Sequence, residues 1–157
     1  METLLTCQVL AMNSYRSPVL DPAAMPQVAL ASMNTTHREE LMLVNQLGAL
    51  LAQGMGGEAD EPAISAKVNE WIEHTRDHFA RENQLMQAHD FPPYPMHSGE
   101  HERVLQELEK LKQQWLDGKA VEPLAHFLFV DWLEWFGQHV NTMDRITAQF
   151  LKGFLIE

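Results

Sequence analysis

The stretch "HFARENQLM", residues 78–86, sets His78 four positions ahead of Glu82, and "HSGEH", residues 97–101, sets His97 four positions ahead of His101. Four residues is just over one turn of an α-helix, so each pair leaves one helix face with its side chains about 5 to 6 Å apart, near enough to share a metal centre. The apolar residues around the first pair keep a helical period. "AISAKVNEWIEHTRDHFARENQLMQAH" carries Ile64, Val68, Trp71, Phe79 and Met86, follows the acidic, proline-containing start Asp60, Glu61, Pro62, and is broken by "DFPPYP".

Working outward, "TTHREELMLVNQLGALLAQ" from Thr35 to Gln53 has Leu41, Val44, Leu47 and Leu51 at spacings of three and four, and "GMGG" stops it. A third helix is expected from Met96 to Asp117, with Val104, Leu105, Leu108, Leu111 and Trp115 apolar and Gly118 as its stop. A fourth begins near Pro123 and runs past Asp144 to Lys152. Residues 1–33 hold Pro18, Pro22 and Pro26 without sustained periodicity and read as an irregular arm with at most a short helical turn. No hairpin dipeptide or internal repeat competes. The expectation is an all-α protein: an up-down-up-down antiparallel four-helix bundle over 34–157, preceded by an N-terminal arm over 1–33.

The 157 residues are 45% hydrophobic, enough for one domain with a core. Eleven Lys and Arg against twenty-two Asp and Glu give a net charge of −11, which repels a phosphate backbone, so no nucleic-acid partner is expected. Cys7 is the single cysteine, which precludes an intrachain disulfide and suits a reducing cytoplasm. Glu2 stands where a signal peptide wants positive charge, and no apolar run approaches the roughly 18 residues of a membrane span. A soluble protein with no export signal and no membrane partner is expected.

Ligand-type residues recur among the apolar ones on every helix: His37 on the first, His78 and Glu82 on the second, His97 and His101 on the third, His139 and Asp144 on the fourth. Inward-facing side chains of an antiparallel bundle meet at one level, and five imidazoles with two carboxylates suffice for two metal ions. Glu-x-x-His, which ferritin-like diiron enzymes need on two helices, is absent. "HERVL" starts like the metalloprotease motif His-Glu-x-x-His but has Leu105 at its fifth place. A mononuclear zinc site would use only three or four of the seven. His74, one turn before His78, offers a competing stripe but is not chosen. His89 reads as a helix-end histidine, His126 as a surface one, and Trp71, Trp132 and Trp135 as packing residues.

"HFARENQLM", "YPMHSGEH" and "WFGQHVNTMD", with His37 on the first helix, resemble the hemerythrins, in particular their bacterial members, over roughly residues 34–150. The family pattern of His, His-x-x-x-Glu, His-x-x-x-His and His-x-x-x-x-Asp is filled at all seven positions. Two outer positions depart from it: Asn34 and Asn83 stand where acidic residues are common, which bears on tuning of the centre. The arm also lacks the Trp that many bacterial members carry.

The resemblance implies two non-haem iron ions with an oxo or hydroxo bridge and O2 as ligand. It assigns His97, His101 and His139 to one iron, His37 and His78 to the other, and Glu82 and Asp144 to both. Counting positions leaves the iron of His37 and His78 with one open site. Neutral imidazoles favour the ferrous state more than carboxylate-rich sites do, which points to reversible O2 binding rather than oxygenation. Phe79, Met86 and Phe136 are candidates for the wall of an apolar O2 pocket. The implied role is O2 carriage, storage or sensing, not catalysis beyond a weak peroxidase-like side activity. The rivals are a regulatory module whose diiron site switches an unidentified protein partner, and iron handling or detoxification of peroxide or nitric oxide.

Overall fold

This computed structural model describes residues 15–157; Cys7 and the N-terminal residues weighed above as an export signal lie outside them. The described residues form four long helices: α1 (Ala31–Met55), α2 (Glu61–Ala88), α3 (Tyr94–Gly118) and α4 (residues 121–151). The all-helical antiparallel bundle expected from the period is the fold. Sequential helices pack side by side, and α1 also packs against α4, which closes the bundle.

Local chemistry sets the helix ends. Asp60 accepts a hydrogen bond from the Ala63 N–H at 3.1 Å, and Pro62 occupies the first turn of α2, where no amide donor is needed. Gly57, at φ 98°, lets the chain reverse after α1. Gly118 is not the left-handed stop expected for α3. It is the last helical residue, and Lys119 takes the positive φ of 51° while its N–H bonds to the Trp115 carbonyl and its Nζ lies 5.3 Å above the Trp115 ring.

Helix α1 begins four residues before Thr35, because its first amides are satisfied from the far end of the chain. Glu157 accepts from the N–H groups of Ala31 at 2.7 Å and Ser32 at 3.1 Å. The described part of the arm contains one short 3-10 turn, Pro22–Ala24, capped by Asp21. Two side-chain amides clasp its backbone: Asn45 holds both N–H and C=O of Leu20, and Asn34 holds both of Val28. Asn34 is therefore an anchor of the arm and not an outer partner of the centre. Tyr15, Val19, Met25 and Leu30 are buried, so the arm contributes to the core it straps.

The apolar interior has two parts. A large cluster runs from Leu41, Val44, Leu47 and Leu51 on α1 to Trp71, Trp115, Trp132 and Phe136, and a small one joins Leu30, Met33, Ala148 and Leu151. On α1, His37 falls between Met33 of the small cluster and Leu41 of the large one, and on α4 Asp144 falls between Val140 and Ala148. A polar layer thus lies across the bundle axis, shielded from water by apolar packing above and below.

Candidate metal centre

All seven residues picked from the sequence meet in this layer, none more than 5% exposed. Ligand atoms converge in two groups: His97, His101, His139 and Asp144 in one, His37, His78 and Glu82 in the other. Both carboxylates span the groups. Asp144 Oδ1 lies 3.1 Å from Nε2 of His97 and of His139, while its Oδ2 lies 3.0 Å from His37 Nε2. Glu82 Oε2 lies 2.6 Å from His78 Nε2, and its Oε1 lies 3.5 Å from His101 Nε2 and 3.8 Å from His97 Nε2.

The i,i+4 pairs reach the layer by ordinary helical spacing, but His139 and Asp144 are five apart. In a regular α-helix five residues turn the side chain about 140° past its starting direction, which would aim Asp144 away from His139. Helix α4 resolves this by widening into a π-turn over Val140–Asp144, after an earlier one over Phe127–Trp132. Each wide turn absorbs one extra residue, so His139 and Asp144 face the same interior point.

The donor set fits a cation. His37 Nε2, His101 Nε2, Glu82 Oε1 and both Asp144 oxygens are buried without a hydrogen-bond partner, an arrangement costly for polar groups unless a positive charge satisfies them together. His97 Nε2 and His139 Nε2 face each other at 3.3 Å. The reverse sides of the rings are fixed. His97 Nδ1 lies 2.8 Å from the Thr147 hydroxyl, which donates its own proton to the Met143 carbonyl and so accepts from the imidazole. His101 Nδ1 donates to Asn83 Oδ1 at 2.9 Å. Both contacts place the ring proton on Nδ1 and leave Nε2 free to bind metal. Asn83 thus backs the ring of His101.

Packed this closely and buried, the groups perturb one another strongly. Burial and the charges of His97 and His139 push His101 down to about 2. Burial also opposes charging of His78, yet Glu82 and Glu40 carry it well above the ordinary histidine value. Burial works against a charge on His139 too, and Asp144 outweighs it and raises the group. Asp144 is held well below the usual carboxylate range despite burial, by His139, His37 and His97.

Aromatic rings enclose the layer. Phe79 stacks on His101 at 3.9 Å and 6°, Trp135 stacks on His139 at 4.6 Å, and Phe136 meets His37 edge-on at 5.9 Å. Met86 is fully buried beside Thr147. His74 stays outside both ligand groups, 3.5 Å from Glu39 at the surface. His89 ends α2 and stacks on Phe154, and His126 is exposed. Trp71 and Trp132 are buried, as packing residues should be.

Sequence reasoning missed Thr147 and Glu40. Thr147 follows Asp144 by three residues and is wholly buried. Glu40 follows His37 by three, so a charge on the inward stripe of α1 was the available signal.

The fold and this layer define a helical-bundle protein built to hold cations in its interior. The chain belongs to the hemerythrin family: the hemerythrin HHE cation binding domain matches residues 28–151, most of the length. It is similar to a bacteriohemerythrin of Aquifex aeolicus, 31% identical over 133 residues that make up 85% of this chain and 98% of the relative. A bacteriohemerythrin of Ralstonia nicotianae is 37% identical over 94 residues, 60% of this chain and 67% of that one. The myohemerythrin of Sipunculus nudus is 32% identical over 92 residues, 59% and 69% of the two chains. No solved structure matches significantly. Among the described residues no helix is long and apolar enough to cross a membrane.

Proposed function

We propose that the chain holds two non-haem iron ions and binds O2 reversibly, as a carrier, store or sensor of O2 rather than as an enzyme. One observation carries this reading: each of two buried carboxylates turns one oxygen to each of two separate imidazole groups, the disposition that two neighbouring cations need. In it, His97, His101 and His139 hold one iron, His37 and His78 hold the other, and Glu82 and Asp144 hold both. Two ferrous ions held side by side there would supply the two electrons that O2 takes up on binding and returns on release.

The remaining work belongs to the protein. Thr147 and Asn83 hold the rings of His97 and His101 with Nε2 inward. Phe136 covers His37, and Phe79 covers His101, so water and its protons are kept from the centre. Three imidazoles would serve one ion and two the other, so the position with fewer nitrogens would lie at His37 and His78, beside Phe136. Membership of the family, together with relatives named as hemerythrins, supports O2 as the ligand. The bundle at 34–157 is the functional domain in this reading, preceded by the arm at 1–33, whose described residues from 15 onward strap it, and a reducing cytoplasm keeps the ions ferrous.

The test is cycling. Iron-loaded, reduced protein should change its absorption spectrum on exposure to air and recover the original spectrum when O2 is removed. A single irreversible change would refute reversible binding, and sustained consumption of peroxide with a reductant would make the protein an enzyme.

A further inference from the structure

Glu40 is a buried carboxylate that the seven-residue centre does not use. It projects from α1 one turn after His37 and is 2% exposed. Its Oε1 accepts the Thr75 hydroxyl at 2.6 Å, which pins the side chain from α2. Its Oε2 lies 3.5 Å from Nδ1 of His78, and that buried nitrogen has no hydrogen-bond partner of its own. The opposite nitrogen, Nε2, is the one that meets Glu82 in the layer.

The imidazoles of His97 and His101 are backed by neutral groups, Thr147 and Asn83. His78 alone of these three has an anion behind it. A carboxylate facing Nδ1–H fixes the tautomer, draws on that proton and makes Nε2 a more basic donor; it also adds negative charge near any cation His78 holds. A buried carboxylate with no task in folding is costly to keep, because removing two charges from water is repaid only in part by their attraction.

We infer that Glu40 is a positioning residue for His78, acting through its Nδ1 to tighten metal binding at the His37–His78 position and to favour the oxidised state of the ions there. The inference rests on the dinuclear iron reading above. It makes the two metal positions electronically unequal, with the extra negative charge on the less saturated side.

Glu40→Gln keeps the shape and an acceptor while removing the charge; Glu40→Leu restores an apolar stripe on α1. Anaerobic titration of the metal-free proteins with Fe2+ against a competing chelator should show two ions in the wild type. One of the two should bind about 10- to 100-fold more weakly in both variants. The reduction potential of the loaded pair should move upward. Urea unfolding of metal-free Glu40→Leu should show lower stability, since His78 loses a buried partner, whereas Glu40→Gln, which still accepts from Thr75, should keep most of it. Affinity lost in Glu40→Gln without a matching loss of metal-free stability is what a purely structural residue does not produce. Wild-type affinity and potential in both variants overturn the inference, and so does a loss of affinity in Glu40→Gln matched by an equal loss of metal-free stability. Failure of the wild type itself to take up two ions overturns the dinuclear reading, whatever the ratio of variant to wild type.

Discussion

Replacing Phe136 by alanine separates the two tasks its ring can have. The ring is 2% exposed, stacks on Trp132 at 4.7 Å and 14°, and presents its edge to His37 at 5.9 Å. Truncation of a buried phenylalanine costs about 3 to 5 kcal/mol, of which the aromatic contacts supply roughly 0.5 to 1.5. Against a total stability on the order of 5 to 15 kcal/mol the variant should still fold at low temperature. The space it leaves adjoins His37, in the proposed metal position with fewer nitrogens. Water admitted there stabilises charge that forms during oxidation by about 1 to 3 kcal/mol. The rate at which reduced, iron-loaded protein becomes permanently oxidised in air should therefore rise about 5- to 150-fold. Stopped-flow mixing with O2, followed by slow absorbance change, measures it, with Phe136→Leu as an intermediate case. An unchanged rate in a folded Phe136→Ala protein with full iron content would remove Phe136 from the pocket and leave it a packing residue.

His101→Ala deletes a donor from the four-residue ligand group and should sharply lower iron content by metal analysis, whereas His74→Ala, outside both groups, should retain it; the reverse outcome would mean the wrong stripes of α2 and α3 were chosen. The metal-free protein should be most stable to urea near pH 6.5, roughly the ordinary histidine value. His78 and His139 are raised in the fold, so what they contribute is complete below that pH and is lost as pH climbs through their folded values; His101 is depressed to about 2, so its penalty grows as pH falls below the same point. Iron-loaded protein should instead gain stability across about pH 6.5 to 8, since ligands bind deprotonated, and parallel profiles for the two forms would contradict the metal reading. Gly48→Ala places a methyl 2.6 Å from Val19 and 3.2 Å from Phe129, so despite better helix propensity it should destabilise by about 1 to 3 kcal/mol in thermal unfolding, and a stabilised variant would show the arm is not seated there.

The period of apolar residues sufficed for four helices because each buries one stripe, and a stripe is local information. Histidine pairs four apart were legible for the same reason. What lay beyond reach involved partners distant in sequence or departures from the regular helix. Glu157, more than a hundred residues away, caps α1 and moves its start to Ala31. Asn34 looked like an outer partner of the centre but spends its amide on Val28. The five-residue step from His139 to Asp144 was visible, and it signals a π-turn, since no regular helix brings both inward. Glu40 was hidden in a run of two glutamates, of which Glu39 is at the surface and only Glu40 faces inward.

Whether one chain holds two iron ions between its paired carboxylates is tested most directly by metal analysis and protein quantitation on the same sample, purified after growth with ample iron. Two irons per chain are expected, falling to about one or fewer when Asp144 or Glu82 is replaced by alanine, because each carboxylate contributes to both positions. A single ion per chain, or zinc as the predominant metal, would contradict the dinuclear iron centre.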